Sequence, residues 1–547
     1  MPPLPDCKTL SLAEQVAQMV VVRASGYLFD HQIRYPVWEP TANVLRHWIE
    51  GLGVGGVILL GGSAGELALR TQQLQDWATI PLLMAADVEE GVGQRFAGAT
   101  WFPPPMALAA VAHAVPDRAE TYAEQMGATT AQEARAIGLN WVLAPIVDVN
   151  NNPHNPVINV RAFGDTPAIV SRLATAFLRG AQRYPVLTAA KHFPGHGDTA
   201  VDSHLELPVL PHSQSRLAQV EIPPFQAAIA AGVDAVMSAH LQIPALDPAL
   251  PATLSHRILT QELRQALSFD GLIVTDALVM GAIANRYGAN EAAVLAVEAG
   301  ADILLMPLDP EGAIQAVCDA VATGRITADR IQASVERIWR AKYKVCGVID
   351  AGGTSHAWET QPSIAIDAST LVTQLATPAA ERTVSGILQD AMQVHQPTPS
   401  RLRHPSWQEH RRNLIIVDEA LDCKELGRQT PAVARPQSWG YQLQIVDRHT
   451  PAIALDADPK HWQPTLLQLF IRGNPFRGSA GLTQTAIDWF NGLLTSDQLL
   501  ALVIYGSPYV LDTFLPNLPP DVPYVFTYGQ MPQAQAIALD ALFDGSG

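Results

Sequence analysis

Eight short apolar runs punctuate the first three-fifths of the chain: Met19–Val22, Val54–Leu60, Leu82–Ala86, Trp141–Val149, Val186–Ala190, Ala235–Ser238, Leu272–Val274 and Ile303–Met306. They are continuous rather than alternating, the pattern of strands buried on both faces. Longer segments rich in Ala, Leu, Gln and Glu separate them and read as helices. Clear examples are Ala64–Trp77, Pro167–Arg183, Ser215–Ala231, Asn290–Ala299 and Gly312–Thr323. Ser11 and Glu14 fit a capping box before an early helix. Strand–helix alternation repeated eight times predicts an α/β fold of the (β/α)8, TIM-like barrel type. Thr327–Lys344 closes the series as a long helix with Ile331, Val335, Ile338 and Trp339 on one face.

Gly352-Gly353-Thr354-Ser355 then breaks the pattern. The division predicted is a barrel over residues 1–350, a linker over 351–385, and a smaller α/β sandwich domain over 386–547. A helix is expected over Ala376–Val394. In the second domain, strands are expected at Leu414–Val417, Gln444–Val446, Leu467–Ile471, Leu499–Ile504 and Val525–Phe526, with helices at Ala486–Leu494 and Gln533–Leu542. This domain holds no cluster of His, Asp and Glu to match the barrel's, so it is expected to be structural or an oligomer surface.

Composition narrows the partners. A formal net charge of −17 repels phosphate backbones, so nucleic acid is not an expected partner. The four cysteines form no close pair, which argues against a zinc knuckle or a disulfide framework. No basic-then-apolar leader opens the chain, and no apolar run reaches membrane-spanning length. A cytoplasmic protein without membrane association is expected. No pattern speaks to the oligomeric state.

Catalytic groups of such a barrel sit at the C-terminal strand ends. The third run ends at Asp87-Val88-Glu89-Glu90-Gly91, with Arg95 close behind. The loop after the fourth carries Arg161. The fifth leads into Lys191-His192-Phe193-Pro194-Gly195-His196-Gly197-Asp198-Thr199, continued to Asp202 and His204. The sixth ends at His240 and the seventh at Asp276. A strand-end carboxylate among Lys, Arg and His donors stays ionised and suits covalent glycosyl transfer, with Asp276 the foremost candidate. Asp87, Arg161, Lys191 and His192 could grip sugar hydroxyls. A metal site at His192, His196, Asp198 and His204 is the rival reading, but HExxH and HxH spacings are missing, so no metal is expected.

Two runs, KHFPGHGDTAVDSH (Lys191–His204) and SFDGLIVTDALVMGAI (Ser268–Ile283), resemble the β-N-acetylglucosaminidase branch of glycoside hydrolase family 3. PFQAAIAAGVDAVMSAH (Pro224–His240) and ADVEEGVGQRF (Ala86–Phe96) extend the likeness over about residues 8–345. GSPYVLDTFLP and FTYGQMPQAQAIALDALF resemble that family's second domain. The resemblance implies a retaining, exo-acting β-N-acetylglucosaminidase without metal or organic cofactor. Its substrates would be N-acetylglucosamine-containing saccharides, either cell-wall muropeptides or chitooligosaccharides. It further implies that Asp276 is the nucleophile, His204 the acid/base and Asp202 its orienting partner. Asp87, Arg95, Arg161, Lys191 and His192 would bind the sugar, with His240 a wall candidate. A His acid is chemically reasonable, since its ordinary pKa of about 6.5 lets it donate and then recover a proton. Asp202 lies two residues from His204, so in extended chain both point to one face. One departure is Glu90, where the resemblance leads one to expect Gly. The alternatives are a β-glucosidase-like or phosphorylase activity of the same family, or a non-catalytic sugar-binding barrel.

Overall fold

The computed structural model describes residues 4–200, 207–346, 368–398, 402, 411–421, 423–450, 463–472 and 484–543. Eight parallel strands form the first sheet: β1 Val20–Ser25, β2 Gly56–Leu60, β3 Leu83–Ala86, β4 Trp141–Val142, β5 Leu187–Phe193, β6 Ala235–Ser238, β7 Leu272–Val274 and β8 Leu304–Leu305. Neighbours run in chain order from β1 to β7, and β8 pairs back onto β1 through Val20↔Leu304 and Val21↔Leu305. A parallel bridge between Val274 and Ile303 joins β7 to the start of β8, so the ring is closed. Every residue of β3, β5, β6 and β7 is buried. That double-sided burial is why these strands read as unbroken apolar runs.

The helices follow the expected spans closely, with one break. Ser215–Ala231 divides into Gln214–Gln219 and Pro223–Ala230. Pro223 and Pro224 stand at the start of the second helix, where missing N–H groups cost nothing. The closing helix, Ala328–Cys346, buries Ile331, Val335, Ile338 and Trp339 as anticipated.

The second domain is built on a six-stranded sheet: β9 Gln393–His395, β10 Arg412–Val417, β11 Gln442–Val446, β12 Thr465–Ile471, β13 Leu499–Gly506 and β14 Tyr524–Thr527. Its order is β11-β10-β12-β13-β14-β9, parallel except for β9, which pairs antiparallel with β14. β9 is an edge strand that the expected Ala376–Val394 helix had absorbed; that helix ends at Ala391. The chain leaves β10 to one side for β11 and returns to its other side for β12. A crevice at the carboxyl ends of β10 and β12 follows from this reversal, and such crevices are where open α/β sheets bind ligands.

The two domains pack directly against each other. Tyr509 Oη accepts from Asn150 at 2.9 Å, and Ser507 donates to Asn159 at 3.0 Å. Among the described residues, no helix is long and apolar enough to cross a membrane.

Candidate active site

The C-terminal ends of the barrel strands open into a cavity of about 460 Å³. Asp87, Glu89, Arg95, Arg161, Lys191, His192, His196 and Asp276 line it, beside the apolar Ile58, Met237 and Leu305. Sequence-predicted residues from β3, β5, β7 and the loop after β4 are thereby brought together.

Glu89 is the hub of this cluster. Its carboxylate accepts from Arg161 Nε and Nη2, both at 2.9 Å, and pairs with Lys191 Nζ at 2.6 Å. Lys191 also donates to Asp87 Oδ1 at 2.6 Å. The side chains of Glu89 and Lys191 are each only 2% exposed. Burial alone would raise the Glu89 carboxyl, but the adjacent Arg161 and Lys191 charges hold it well below the usual carboxylate range. Burial likewise opposes the cations. Glu89 outweighs it at Arg161, and Asp87 with Glu89 outweighs it at Lys191, so both are raised and remain charged. Arg95 donates from Nε to the Asp87 carbonyl at 2.9 Å and so braces the strand end.

A second buried carboxylate, Asp148, organises the loop after β5. His192 Nδ1 lies 2.8 Å from Asp148 Oδ2. The backbone N–H groups of His192 and His196 donate to Asp148 Oδ1 at 3.1 and 2.7 Å. Burial raises this carboxyl, but His192 and these donors more than offset it and leave it lowered. Gly195 (φ +130°) and Gly197 let the loop fold flat against its surroundings. A Cβ on Gly197 would stand 1.8 Å from the Val149 carbonyl oxygen. These glycines therefore serve close packing here as well as turning. His196 is buried, with Nδ1 2.9 Å from Thr199 Oγ1. Burial pushes its imidazole down to about 4, against the pull of Asp148.

Asp276 follows β7, and its Oδ1 accepts from the Ala277 N–H at 2.7 Å. His240 is placed differently from expectation. It is wholly buried and is not among the described residues lining the cavity. Its Nδ1 lies 2.8 Å from Thr253 Oγ1 and its Nε2 3.0 Å from the Ala277 carbonyl. The ring braces backbone beside Asp276 from within the core, so His240 supports the site instead of walling it. Asp202 and His204 lie outside the described residues. In the rival metal set, His192 turns to Asp148, His196 to Thr199, and Asp198 to His212 Nε2 at 2.9 Å. Among the described residues, no group of three or more His, Cys, Asp and Glu is arranged to hold a metal ion.

The second domain, expected to be structural or an oligomer surface, also contributes described residues to the cavity wall. Val417, Asp418 and Glu419 reach the cavity from the end of β10, Phe470 and Arg472 from β12, and Gln530 from beyond β14. Burial raises the Asp418 carboxyl to about 6, moderated by Arg448. The barrel mouth and the crevice between β10 and β12 thus face each other across one cleft. Glu89, Asp148 and Arg472 were not singled out by sequence reasoning. Glu89 sat in the strand-end run and Asp148 inside an otherwise apolar stretch, which was the available signal.

The barrel mouth thus brings the Asp276 carboxylate into one cavity with a lattice of charged hydrogen-bonding groups. The chain belongs to glycosyl hydrolase family 3. Its residues 11–341 match the family's N-terminal domain, and residues 405–544 match the bacterial C-terminal domain of that family. It is 34% identical over 332 residues to beta-hexosaminidase A of Pseudoalteromonas piscicida, covering 55% of each chain. It is 36% identical over 262 residues to a beta-hexosaminidase of Thiobacillus denitrificans, covering 47% of this chain and 72% of that one. The chain spans about half the length of the first of these relatives. A solved family 3 beta-N-acetylglucosaminidase from Paenibacillus sp. superposes with a TM-score of 0.73 at 30% identity, covering 98% of this chain and 97% of that one.

The depressed His196 carries a pH signature. The unfolded imidazole takes up its proton near 6.5, and the folded one only near 4. Its contribution to stability is therefore complete above about 6.5 and is lost as pH falls toward about 4. Thermal unfolding midpoints of the wild type should drop across that window, and those of His196→Gln should drop less. Parallel curves would refute the assignment.

Proposed function

We propose that the protein is a retaining, exo-acting β-N-acetylglucosaminidase. It removes terminal N-acetyl-β-D-glucosamine from cell-wall muropeptides in peptidoglycan recycling, with chitooligosaccharides the second choice of substrate. The observation that carries this reading is the position of Asp276, in one cavity with the Asp87–Lys191–Glu89–Arg161 lattice. The Paenibacillus relative, described as a beta-N-acetylglucosaminidase and similar along nearly the whole chain, supports it.

In this reading the ionised Asp276 attacks the anomeric carbon. An ester bond forms to the sugar as the aglycone oxygen leaves with a proton from His204. Water then attacks the same carbon, passes a proton back to His204, and frees Asp276. Asp202 holds the His204 ring in register; both assignments rest on the sequence run alone. Asp87, Arg95, Arg161, Lys191 and His192 bind and orient the transferred sugar. The hydrogen bonds and ion pairs among Asp87, Glu89, Arg161 and Lys191 hold these groups in place before substrate arrives, so little reorganisation accompanies the reaction. No metal or organic cofactor enters any step.

Release of p-nitrophenol from its N-acetyl-β-glucosaminide tests the activity directly; a folded protein without turnover refutes it. Asp276→Asn should slow that release by about a thousandfold or more while leaving the unfolding midpoint in place. Substantial residual turnover would remove Asp276 from the nucleophile role. His204→Ala should slow substrates with poor leaving groups by roughly 10²–10⁴-fold, with a much smaller effect on activated aryl glycosides. Equal losses on both substrate types would count against His204 as the acid.

A further inference from the structure

Glu90 stands where the family resemblance leads one to expect glycine, and it is fully buried. A carboxylate there needs partners, because an unpaired buried charge is strongly destabilising. Trp101 donates from Nε1 to Glu90 Oε2 at 3.1 Å. The cation comes from the other domain. Arg472, the residue after β12, donates from Nη1 to Glu90 Oε2 at 3.0 Å and from Nη2 to Oε1. Burial opposes the Arg472 charge, but Glu90 outweighs it and keeps the group raised. The contact spans 382 positions of sequence. It lands on the β3 loop one residue from Glu89, the hub of the barrel's charged lattice.

Arg472 is more than a tie between domains. Its side chain is 21% exposed, and it lines the cavity together with Gln94 and Trp101. A guanidinium carries five N–H donors, and a two-point contact with one carboxylate uses only two of them. It also issues from the carboxyl end of β12, at the crevice where the second sheet reverses direction. We propose that Arg472 is a substrate-binding residue of the barrel's cleft, contributed by the second domain and positioned by Glu90 and Trp101. Because Glu90 neutralises it, the guanidinium recognises neutral acceptor oxygens, a hydroxyl or the N-acetyl carbonyl, and is not a general attractor of anions. Its anchorage on the β3 loop, beside Asp87 and Glu89, assigns it to the sugar that is transferred and not to the aglycone. The inference rests on the glycosidase reading above and adds a residue to it.

The test uses the full chain with four variants: Arg472→Gln, Arg472→Lys, Glu90→Gln and the double variant Glu90→Gln/Arg472→Gln. Arg472→Gln should raise KM for p-nitrophenyl N-acetyl-β-glucosaminide by about tenfold to a hundredfold, and weaken competitive inhibition by N-acetylglucosamine by the same factor. The loss should be equal on N,N′-diacetylchitobiose. Glu90→Gln should raise KM less, and Glu90→Gln added to Arg472→Gln should add little, since both act through one contact. Arg472→Lys keeps the charge beside Glu90 but not the planar fork, so it should hold the unfolding midpoint and still raise KM. A lowered midpoint with unchanged KM and unchanged N-acetylglucosamine inhibition would reduce Arg472 to a domain tie and overturn the proposal. A loss confined to diacetylchitobiose would overturn the subsite assignment. If the wild type shows no turnover, the glycosidase reading fails by itself. Calorimetric binding of N-acetylglucosamine to the wild type and to Arg472→Lys still decides the role of Arg472.

Discussion

The rest of the site depends on one buried carboxylate. Glu89 lies beneath the barrel mouth, held between Arg161 and Lys191 at 2.9 and 2.6 Å. Each of the three charges alone would be intolerable at that depth, and together they are stable only in one geometry. Glu89 belongs to the loop after β3, Arg161 to the loop after β4, and Lys191 to the end of β5. Three independently connected segments are thus forced into register by electrostatics. Asp87 is fixed in turn by Lys191, and its backbone by Arg95. In the proposed reaction a sugar entering the cleft meets donors and acceptors already oriented, the arrangement in which hydrogen bonds favour a transition state most.

The same logic crosses the domain boundary. Glu90 extends the alternation of charge outward from Glu89, and Arg472 completes it from the second sheet. Both domains present the carboxyl ends of parallel strands to this cleft, where loops are free to carry chemistry. Asp148 repeats the device at the loop after β5, receiving two backbone N–H groups and the His192 ring. Beneath the site lies a set of buried carboxylates, each held by hydrogen bonds or an ion pair from a different segment.

Much of this fold was legible in the sequence because barrel strands are buried on both faces and announce themselves as apolar runs. β9 was not, since Gln393–His395 is a short edge strand with two exposed residues. The break at Pro223-Pro224 was concealed within helix-favouring neighbours. In the site, Asp87, Arg161, Lys191, His192 and Asp276 converge on one cavity because strand ends of a closed barrel must. Glu89 and Asp148 were passed over because their importance lies in partners that only the fold supplies. Arg472 was the least legible: nothing local marks an arginine whose partner is Glu90, 382 positions away. His240 shows the converse error, for a histidine at a strand end can turn inward and brace backbone.

In the proposed reaction Asp276 acts on the anomeric carbon at the mouth defined by the Glu89 lattice. A mechanism-based reagent, 5-fluoro-N-acetylglucosaminyl fluoride, forms its covalent sugar ester quickly and loses it slowly. Intact-mass measurement followed by peptide mapping should find one fluorosugar per chain, carried by the peptide that contains Asp276. An adduct on any other residue, or inactivation without an adduct, would remove Asp276 from that role.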